Sequence, residues 1–494
     1  MIANQPRLTF WQIINMNVGF FGIQYSFGLQ QSAVNPIYDF LGASPDEIPL
    51  LNLAGPVTGL IIQPIIGALS DKTWHPRFGR RKPYFFIGAL LCSICLFFYP
   101  FSSALWMAAG LLWILDLGNN TAMEPYRAFI ADKLNEEQRP MGFQTQSFFT
   151  GLGQTLANVS LFAFPLIIVG KTGSLPNWVF ASFFLGSVCS IGTIWWSMRT
   201  TPEIVPSTDE LKAIEKSNEG QPHLVVQFFT SIITSVVAYV LLTVLAIPAL
   251  FYRPLIPRLV TAAKSHRMVK VLFAQNIEIV DSILEMPRVM WQLALVYLFQ
   301  WYALFCYWQN ASKSIALSVW KTSPGEDSAL YEQAVSWAGL VNGWYNIITF
   351  LSAFLLVGLV RKSSPRLVHF GCLVVAGLGL IVFPFIGNKW ALFPAITGFG
   401  IGWASMMGIP YLLVVNQIPK ERYGVYMGII NMMIVIPMIL QSLTFGAVLK
   451  NFLGNHAGYA VLFAGVLLLL AALATLLIPS GKPVSGPIVQ GNVH

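Results

Sequence analysis

The sequence predicts an all-α membrane protein with twelve transmembrane helices in two six-helix halves and both termini in the cytoplasm. Of the 494 residues, 55% are hydrophobic and only 10% are charged, whereas an ordinary soluble domain has about 25% charged residues. Runs almost free of charge recur along the chain, and one helical crossing of a bilayer takes about 20 residues. Basic residues collect in alternate loops between these runs, which is typical of a multi-pass membrane protein.

Twelve runs have the length and composition of a membrane-crossing helix. They lie at 8–32, 49–70, 83–103, 104–126, 141–169, 177–198, 289–312, 335–360, 367–387, 390–416, 424–449 and 457–478. The first run follows a single basic residue, Arg7, is too long for the core of a signal peptide and lacks a small-residue cleavage site. We therefore expect it to remain in the mature protein.

The distribution of basic residues predicts the orientation. With both termini inside, 24 of the 29 Lys and Arg residues are cytoplasmic. The five outside are Lys171, Lys313, Lys321, Lys389 and Lys450. The net charge of +8 therefore reflects cytoplasmic loops and does not indicate nucleic-acid binding. We expect a multi-pass protein of the plasma membrane or a bacterial inner membrane, in contact with lipid and without an obligate protein partner.

These assignments divide the chain into four parts. They are an N-terminal half (1–198), a cytoplasmic linker (199–288), a C-terminal half (289–480) and a cytoplasmic tail (481–494). Within the linker, residues 224–252 are uncharged and long enough to cross the membrane. A thirteenth crossing would turn the second half over and place its basic loops outside. We therefore expect this segment to lie on the cytoplasmic membrane surface or to re-enter from it, with a break near Pro248.

The cysteines and histidines do not indicate a metal site, a disulfide or a cofactor. All five cysteines lie in apolar runs, where a small hydrophobic packing residue is the favoured interpretation. They are Cys92, Cys95, Cys189, Cys306 and Cys372. The six histidines are scattered, and the chain has no nucleotide-binding Gly-Lys-Ser/Thr loop. The sequence therefore favours neither a membrane enzyme nor an ATP-driven pump.

Residues 113–120, WILDLGNN, place a carboxylate, Asp116, near the middle of a predicted crossing. A charge there costs about 2.5–3.5 kcal/mol, and loss of hydration favours the neutral form. Asp116 is therefore a candidate for taking up and releasing a proton. The alternative, a structural ion pair, needs a basic partner at the same depth, and the sequence shows none. Glu124 is a second candidate for proton coupling, although Arg127 is well placed to pair with it.

Amides recur on predicted helix faces near tryptophans. Asn17, Gln24, Gly28 and Gln31 are spaced seven, four and three residues apart, which places them on one face. Amides bind sugar hydroxyls, and an indole packs on the apolar face of a pyranose. The alternatives are helix-to-helix hydrogen bonds for the amides and interfacial anchoring for a tryptophan such as Trp308. The predicted substrate contacts are Asn17, Gln24, Gln31, Asn119, Asn120, Gln154, Asn158, Gln300, Trp301, Asn342, Asn346 and Asn431.

The loop after the second run, GALSDKTWHPRFGRRKP (67–83), resembles the major facilitator signature, Gly-x-x-x-Asp-Arg/Lys followed by Gly-Arg-Arg, with a longer loop than most of the superfamily. Its first glycine permits close helix approach, and its carboxylate and arginines can form ion pairs that hold the two halves together at the cytoplasmic side. The predicted gate residues are Gly67, Asp71, Gly79, Arg80, Arg81 and Arg127.

Further motifs resemble the plant sucrose-proton symporters and their animal and bacterial relatives, among the glycoside-pentoside-hexuronide:cation symporters. These motifs are RFGRRKP from residue 77, GIQYSFGLQQS from 22, GPVTGLIIQP from 55, WILDLGNNT from 113 and GIINMMIVIP from 428. Residues 224–252 depart from the family pattern, as does Met438, where several members carry Gln. The resemblance implies the major facilitator fold, cation-coupled glycoside uptake, and Asp116 as the site of protonation and sugar contact.

The predicted function is proton-coupled symport of a disaccharide or glycoside of the sucrose or maltose type, by alternating access. We expect a small sugar and a coupling cation, preferably H⁺, as partners and no enzymatic activity. One alternative is a major facilitator exporter of other small molecules, for which fewer aligned amides are expected. The other is a non-transporting sugar sensor.

Overall fold

The computed structural model describes residues 7–135, 138–173, 175–219, 223–251, 255–265, 273–414 and 423–479. Within these ranges the chain is almost entirely helical. A small antiparallel pair of strands, β1 (Lys171–Thr172) and β2 (Leu175–Pro176), joins two of the helices. The predicted cytoplasmic tail, 481–494, lies outside the described residues.

The helices form three consecutive groups. The first group is α1 (Phe10–Phe40), α2 (Ile48–Leu51), α3 (Ala54–Asp71), α4 (Lys82–Phe98), α5 (Leu105–Lys133), α6 (Arg139–Ile167) and α7 (Asn177–Thr200). The linker group is α8 (Thr208–Asn218), α9 (Leu224–Phe251), α10 (Leu255–Ser265) and α11 (Ala274–Leu284). The last group is α12 (Arg288–Ile315), α13 (Ser328–Lys362), α14 (Pro365–Val382), α15 (Leu392–Val414), α16 (Tyr423–Phe452) and α17 (Ala457–Thr475).

Nine helices in the described part of the chain are long and apolar enough to cross a membrane. Eight of them coincide with predicted crossings, and the ninth is the segment Leu224–Leu241 of α9. The other four predicted crossings are α1, α5, α6 and α13, which have 31, 29, 29 and 35 residues. They are long enough to cross but carry more polar side chains, among them most of the predicted site residues.

Helix α5 continues from residue 126, its predicted end, to Lys133, and two others of these helices also extend beyond their predicted limits. The first crossing continues from residue 32 to Phe40, through Pro36, and α13 begins at Ser328 instead of residue 335. A proline is tolerated in a membrane helix because neighbouring helices satisfy the freed backbone groups. The Asp327 carboxylate caps the start of α13 by accepting from the backbone N–H groups of residues 329 and 330. The extensions place additional charged residues on these helices.

The same packing pattern occurs in the first and last groups. In the first group α1 packs on α6 and α7, α4 packs on α5 and α7, and α3 packs on α5. In the last group α12 packs on α16 and α17, α14 packs on α15 and α17, and α13 packs on α15. The first group therefore has a counterpart in the last, helix by helix. The two groups meet where α6 contacts α13, and where α16 contacts α2 and α3.

Glycines allow the closest helix contacts within each group. A Cβ on Gly377 of α14 would lie 2.9 Å from the carbonyl oxygen of Gly465 on α17, and a Cβ on Gly465 would lie 2.7 Å from that of Gly377. A Cβ on Gly22 of α1 would lie 2.4 Å from the carbonyl oxygen of Cys189 on α7. Larger residues would separate these helices, because the contacts are made by rigid backbone.

Two of the linker helices, α8 and α9, pack beside the first group. The Asn218 side chain of α8 donates to the carbonyl oxygen of Lys72 at 2.8 Å, and α9 packs on α3. Helix α9 passes through residue 248 and ends at Phe251, three residues beyond the position of the predicted break. Exposed apolar side chains such as Phe229 and Ile233 lie on its outer face. Its position at the cytoplasmic surface stays a prediction.

Candidate functional site

Asp116 lies inside α5 with only 1% of its surface exposed. Its Oδ1 accepts a hydrogen bond from Gln30 Nε2 of α1 at 2.5 Å. Its Oδ2 has no hydrogen-bond partner among the described residues, and none of their ion pairs includes Asp116. Gln30 was not predicted, because the periodic face chosen on α1 contains its neighbour Gln31, which is half-buried.

A chain of amides leads from Asp116 to the second half. Asn120 donates to Thr58 Oγ1 at 3.0 Å and accepts from Gln63 Nε2 at 2.6 Å. Gln63 Oε1 in turn lies 3.5 Å from Asn431 Nδ2 of α16. The structure therefore brings together the predicted residues Asn120 and Asn431 through Gln63. Gln63 belongs to the motif GPVTGLIIQP, but its spacing alone did not identify it as a contact.

Other predicted contacts lie on α1, α6 and α13. Gln154 Nε2 donates to Gln24 Oε1 at 2.9 Å, joining α6 to α1. Asn342 of α13 donates to Ser32 Oγ of α1 at 3.0 Å, so this bond crosses between the halves. Asn158 and Asn346 are also buried, and each donates to a carbonyl oxygen of its own helix.

Two predicted substrate contacts, Gln300 and Asn119, fit the alternative role in joining helices, and a third, Asn17, bonds to its own helix. Gln300 is fully buried and lies 2.7 Å from His369 Nε2 of α14. Asn119 donates to Ser26 of α1, and Asn17 donates to a carbonyl oxygen of its own helix. The histidine was assigned no role from the sequence. It joins α14 to α15 as well, because its Nδ1 lies 3.0 Å from Ser405 Oγ.

The predicted tryptophans meet a third one. Trp301 and Trp308 each make an edge-to-face contact with Trp403 of α15, with ring centroids 5.6 and 5.5 Å apart. The Trp308 indole donates to the Tyr345 hydroxyl at 3.3 Å. Its backbone oxygen accepts from Asn35 Nδ2 of the first half at 3.4 Å. Trp403 was not predicted, because it is remote in sequence and no motif marks it.

Several predicted gate residues form an ion cluster where α3 ends and α4 begins. Asp71 Oδ1 lies 2.6 Å from an Arg81 nitrogen and 3.3 Å from an Arg80 nitrogen. Arg81 Nε lies 3.0 Å from Asp132 Oδ2. Burial alone would lower the pKa of Arg81, but Asp132 and Asp71 more than offset this effect, so its pKa is raised. Arg81 therefore remains a cation in this cluster.

Glu203, which follows α7, binds the same loop. Its carboxylate accepts from the backbone N–H groups of Arg80, Arg81 and Lys82 at 2.7, 2.9 and 2.8 Å. A carboxylate is favoured there because the N-terminus of α4 carries a partial positive charge. Gly79 has a φ of +80°, and a Cβ on it would lie 2.6 Å from this carboxylate. Glu203 was not among the predicted gate residues.

The remaining gate residues also contact the first half. Arg127 lies 3.9 Å from Glu124, as their spacing predicts, and a Cβ on Gly67 would lie 3.6 Å from Glu124 Cγ. The contacts described for Asp71, Arg80 and Arg81 likewise stay within the first half. A role of these residues in holding the two halves together therefore stays a prediction.

Three ion pairs do join the halves, at the end opposite to Asp71. Asp39 Oδ1 lies 2.9 Å from Lys313 Nζ, and the Tyr331 hydroxyl donates to Asp39 Oδ2 at 2.5 Å. The other pairs are Lys171 with Glu332 at 2.9 Å and Lys450 with Asp46 at 3.3 Å. We call these three pairs the outer seam. The three lysines were predicted to lie outside, but their acidic partners were not predicted.

A family profile described as Major Facilitator Superfamily matches residues 16–442. The chain belongs to the major facilitator superfamily. The match confirms the predicted family, places this protein in a family of multi-pass membrane transporters, and confirms that it is not an enzyme.

The curated relatives of this major facilitator protein include sucrose transport proteins, which confirms the resemblance seen in its motifs. Sucrose transport protein SUT5 of Oryza sativa subsp. indica is 22% identical over 526 positions, which cover 96% of this chain and 88% of that protein. Sucrose transport protein SUC3 of Arabidopsis thaliana is 29% identical over 179 positions, which cover 32% of this chain and only 28% of that protein.

Solved structures agree on the fold. The nucleoside transporter NupG matches with a TM-score of 0.66 at 12% identity, over 94% of this chain and 99% of that one. A D-xylose-proton symporter matches with a TM-score of 0.59 at 16% identity, over 97% of this chain and 100% of that one. At these identities the likeness supports the major facilitator fold alone.

Proposed function

We propose that this protein is a secondary active transporter that takes up a disaccharide or glycoside of the sucrose or maltose type together with a proton. The protein would lie in a cell membrane, with twelve crossings in two six-helix halves and both termini in the cytoplasm. It would transport by alternating access between the two halves. The sucrose transport proteins among its relatives support the substrate class.

The observation that carries the proposal is the buried carboxylate of Asp116 with its unpartnered Oδ2. A carboxylate held away from water and from basic groups binds a proton more readily than in solution. A proton bound there is carried across when the cavity changes sides. It is released if the carboxylate has a lower affinity for the proton in the second conformation than in the first. Asp116 can therefore carry the proton in a cavity that alternates between the two sides of the membrane.

Amides of both halves and tryptophans of the second half support a sugar as the cargo. Amides from both halves meet between α3 and α16, where Gln63 contacts Asn431. Amides both donate and accept, as the hydroxyls of a neutral sugar require. On the other half, Trp301, Trp308 and Trp403 form an aromatic cluster, and an indole of this cluster suits the apolar face of a pyranose ring.

The outer seam supports alternating access. Its ion pairs close the interface at one end, while the described contacts of the Asp71 cluster stay within one half. This arrangement corresponds to a conformation whose cavity is closed outside. Opening to the outside requires all three seam pairs to separate.

The test is accumulation of radiolabelled sucrose, and separately of maltose, in proteoliposomes under an inward proton gradient. Asp116→Asn cannot titrate but keeps a similar shape, so we expect it to lose accumulation and retain sugar exchange by counterflow. A matched variant, Asn310→Asp, adds a carboxylate at another buried amide and should not restore accumulation to Asp116→Asn.

Three results would contradict the proposal. Accumulation by Asp116→Asn would eliminate it as the coupling group and direct attention to Glu124. Accumulation driven by a sodium gradient alone would replace the proton by sodium. Sugar binding without counterflow would indicate a sensor.

A further inference from the structure

Gln30 and Asp116 share one hydrogen bond and leave two buried acceptors unused. Gln30 Nε2 donates to Asp116 Oδ1 at 2.5 Å. In the described chain, Gln30 Oε1 and Asp116 Oδ2 are both buried and have no hydrogen-bond partner. Most buried polar atoms in proteins are paired, so two orphan oxygens on directly bonded partners indicate a missing ligand. Because both are acceptors, the ligand must supply hydrogen.

We infer that Gln30 is the positioning residue that makes proton binding and sugar binding depend on one another at Asp116. This inference rests on the proposed symport function. The amide N–H of Gln30 occupies Oδ1, so a transported proton binds to Oδ2. A sugar hydroxyl then accepts from the Oδ2–H group and donates its own hydrogen to Gln30 Oε1, which satisfies both orphan atoms.

The same geometry disfavours sugar binding when Asp116 carries no proton. When Asp116 is ionised, Oδ2 and Gln30 Oε1 are both acceptors, and one hydroxyl has only one hydrogen to offer. One buried oxygen then stays unpaired, which is costly in a site away from water. The proton enters from one side of the membrane onto Oδ2 and leaves from Oδ2 to the other side, so no other reactant is needed.

Gly55 of α3 leaves space beside the oxygen that binds the proton. A Cβ on Gly55 would lie 3.4 Å from Asp116 Oδ2 and 3.7 Å from Oδ1. Gly55 itself is partly exposed, whereas Asp116 is not. The approach to Oδ2 therefore passes over a residue without a side chain. This is a direction from which a hydroxyl can reach Asp116 Oδ2.

The surroundings assign pH dependence to Asp116. The titratable groups that interact with it from α1 and α4 and the turn after α4 are Tyr38, Cys92 and Tyr99. Tyrosine and cysteine side chains are uncharged at neutral pH. On its own helix, Glu124 lies two turns away and pairs with Arg127. A change in the charge of these neighbours therefore does not account for a pH profile near neutrality.

The experiment compares the pH profile of radiolabelled sucrose uptake in wild type and Gln30→Leu. Without the Gln30 donor, the ionised carboxylate loses a hydrogen bond and holds its proton to higher pH. We expect the pH of half-maximal uptake to rise by about one to two units, which corresponds to one hydrogen bond to a charged group. Loss of Oε1 should also weaken sucrose binding about tenfold, because a buried partner is removed.

The matched control is Gln63→Leu. It removes the same side chain, but Gln63 donates to the Asn120 amide and not to a carboxylate. It should alter sucrose affinity without moving the pH of half-maximal uptake. Sucrose counterflow at equal pH on both sides reports folding of each variant. If Gln30→Leu does not fold, Gln30→Asn withdraws the amide from Oδ1 and carries the same expected shift.

The outcomes separate this inference from the proposed function. If Asp116→Asn abolishes accumulation but the pH of half-maximal uptake is the same in wild type and both Gln30 variants, Gln30 has no positioning role. An equal shift in Gln63→Leu also overturns the inference. If Asp116→Asn accumulates sucrose, the proposed function itself fails. A shift confined to the two Gln30 variants supports the inference.

Discussion

The Lys313 ammonium lies 2.9 Å from the Asp39 carboxylate, and this ion pair joins the two halves of the protein with side chains only 5% and 2% exposed. A buried pair differs from a surface pair in what its loss costs. Removing one partner leaves an uncompensated charge away from water, which costs about 3–5 kcal/mol, whereas an exposed pair contributes about 0–1 kcal/mol. The outer seam contains both kinds, because Lys450 is 63% exposed in its pair with Asp46.

We predict that Lys313→Met destabilises the closed outer seam. The Tm in detergent should fall by about 5 °C or more, and sucrose counterflow should slow at least tenfold, which corresponds to about 1.4 kcal/mol. Lys450→Met is the matched control and should change either quantity only slightly. Exchanging the charges, Asp39→Lys with Lys313→Asp, should recover part of the loss. Equal losses in Lys313→Met and Lys450→Met would show that burial of the pair does not matter.

Glu203 is predicted to affect the rate of transport more than sugar affinity. Glu203→Gln removes the negative charge that faces three backbone N–H groups beside Arg81, and Asp71→Asn weakens the same cluster. Both variants should lower the maximum uptake rate several-fold and leave the half-saturating sucrose concentration within about twofold, since the sugar site is distant. The control is Glu210→Gln, which alters an exposed helix cap. A loss of affinity at normal maximum rate would argue against this role.

Different results are predicted for residues proposed to contact the sugar and for an amide that joins helices within one half. Asn120→Ala, Gln24→Ala and Trp301→Ala should each weaken sucrose binding about tenfold or more while the protein stays folded. Gln300→Leu should lower the Tm, because it removes the partner of buried His369, and leave affinity unchanged. Sucrose affinity by competition and Tm in detergent are measured on the same preparations. Unchanged sucrose affinity in Asn120→Ala, Gln24→Ala and Trp301→Ala would assign these three residues to helix packing.

A side chain at Gly55 is predicted to weaken sucrose binding. Gly55→Ala places a methyl group 3.4 Å from Asp116 Oδ2, where a sugar hydroxyl is proposed to bind, so sucrose affinity should fall about tenfold with little change in Tm. Gly110→Ala on α5 is the control, because nothing lies within 4 Å of its added Cβ. Equal affinity in the two variants would place the sugar elsewhere.

The topology of the linker has a direct test. A protease site placed after residue 265, at the end of α10, should be cleaved only from the cytoplasmic side, because α9 is proposed not to cross the membrane. A site after residue 171, in the loop that begins with β1, is the control and should be cleaved only from outside. Cleavage of the first site from outside would make α9 a thirteenth crossing.

The sequence by itself determined that the protein is a helical membrane protein of this superfamily. Uncharged runs of helical length cannot stay in water, and basic loops cannot readily cross a bilayer, so composition alone restricts the fold. It also singled out Asp116, because a carboxylate in the middle of an apolar helix is costly wherever the helix packs.

Only the tertiary structure decided which polar residues face one another. Helical spacing places Gln24, Gln30 and Gln300 on faces of their helices but does not say which helix each face meets. Packing put Gln30 on Asp116 and Gln300 on His369. It also brought Asp39 to Lys313 in the other half. Such contacts depend on how distant helices approach, and local periodicity carries no information about that approach.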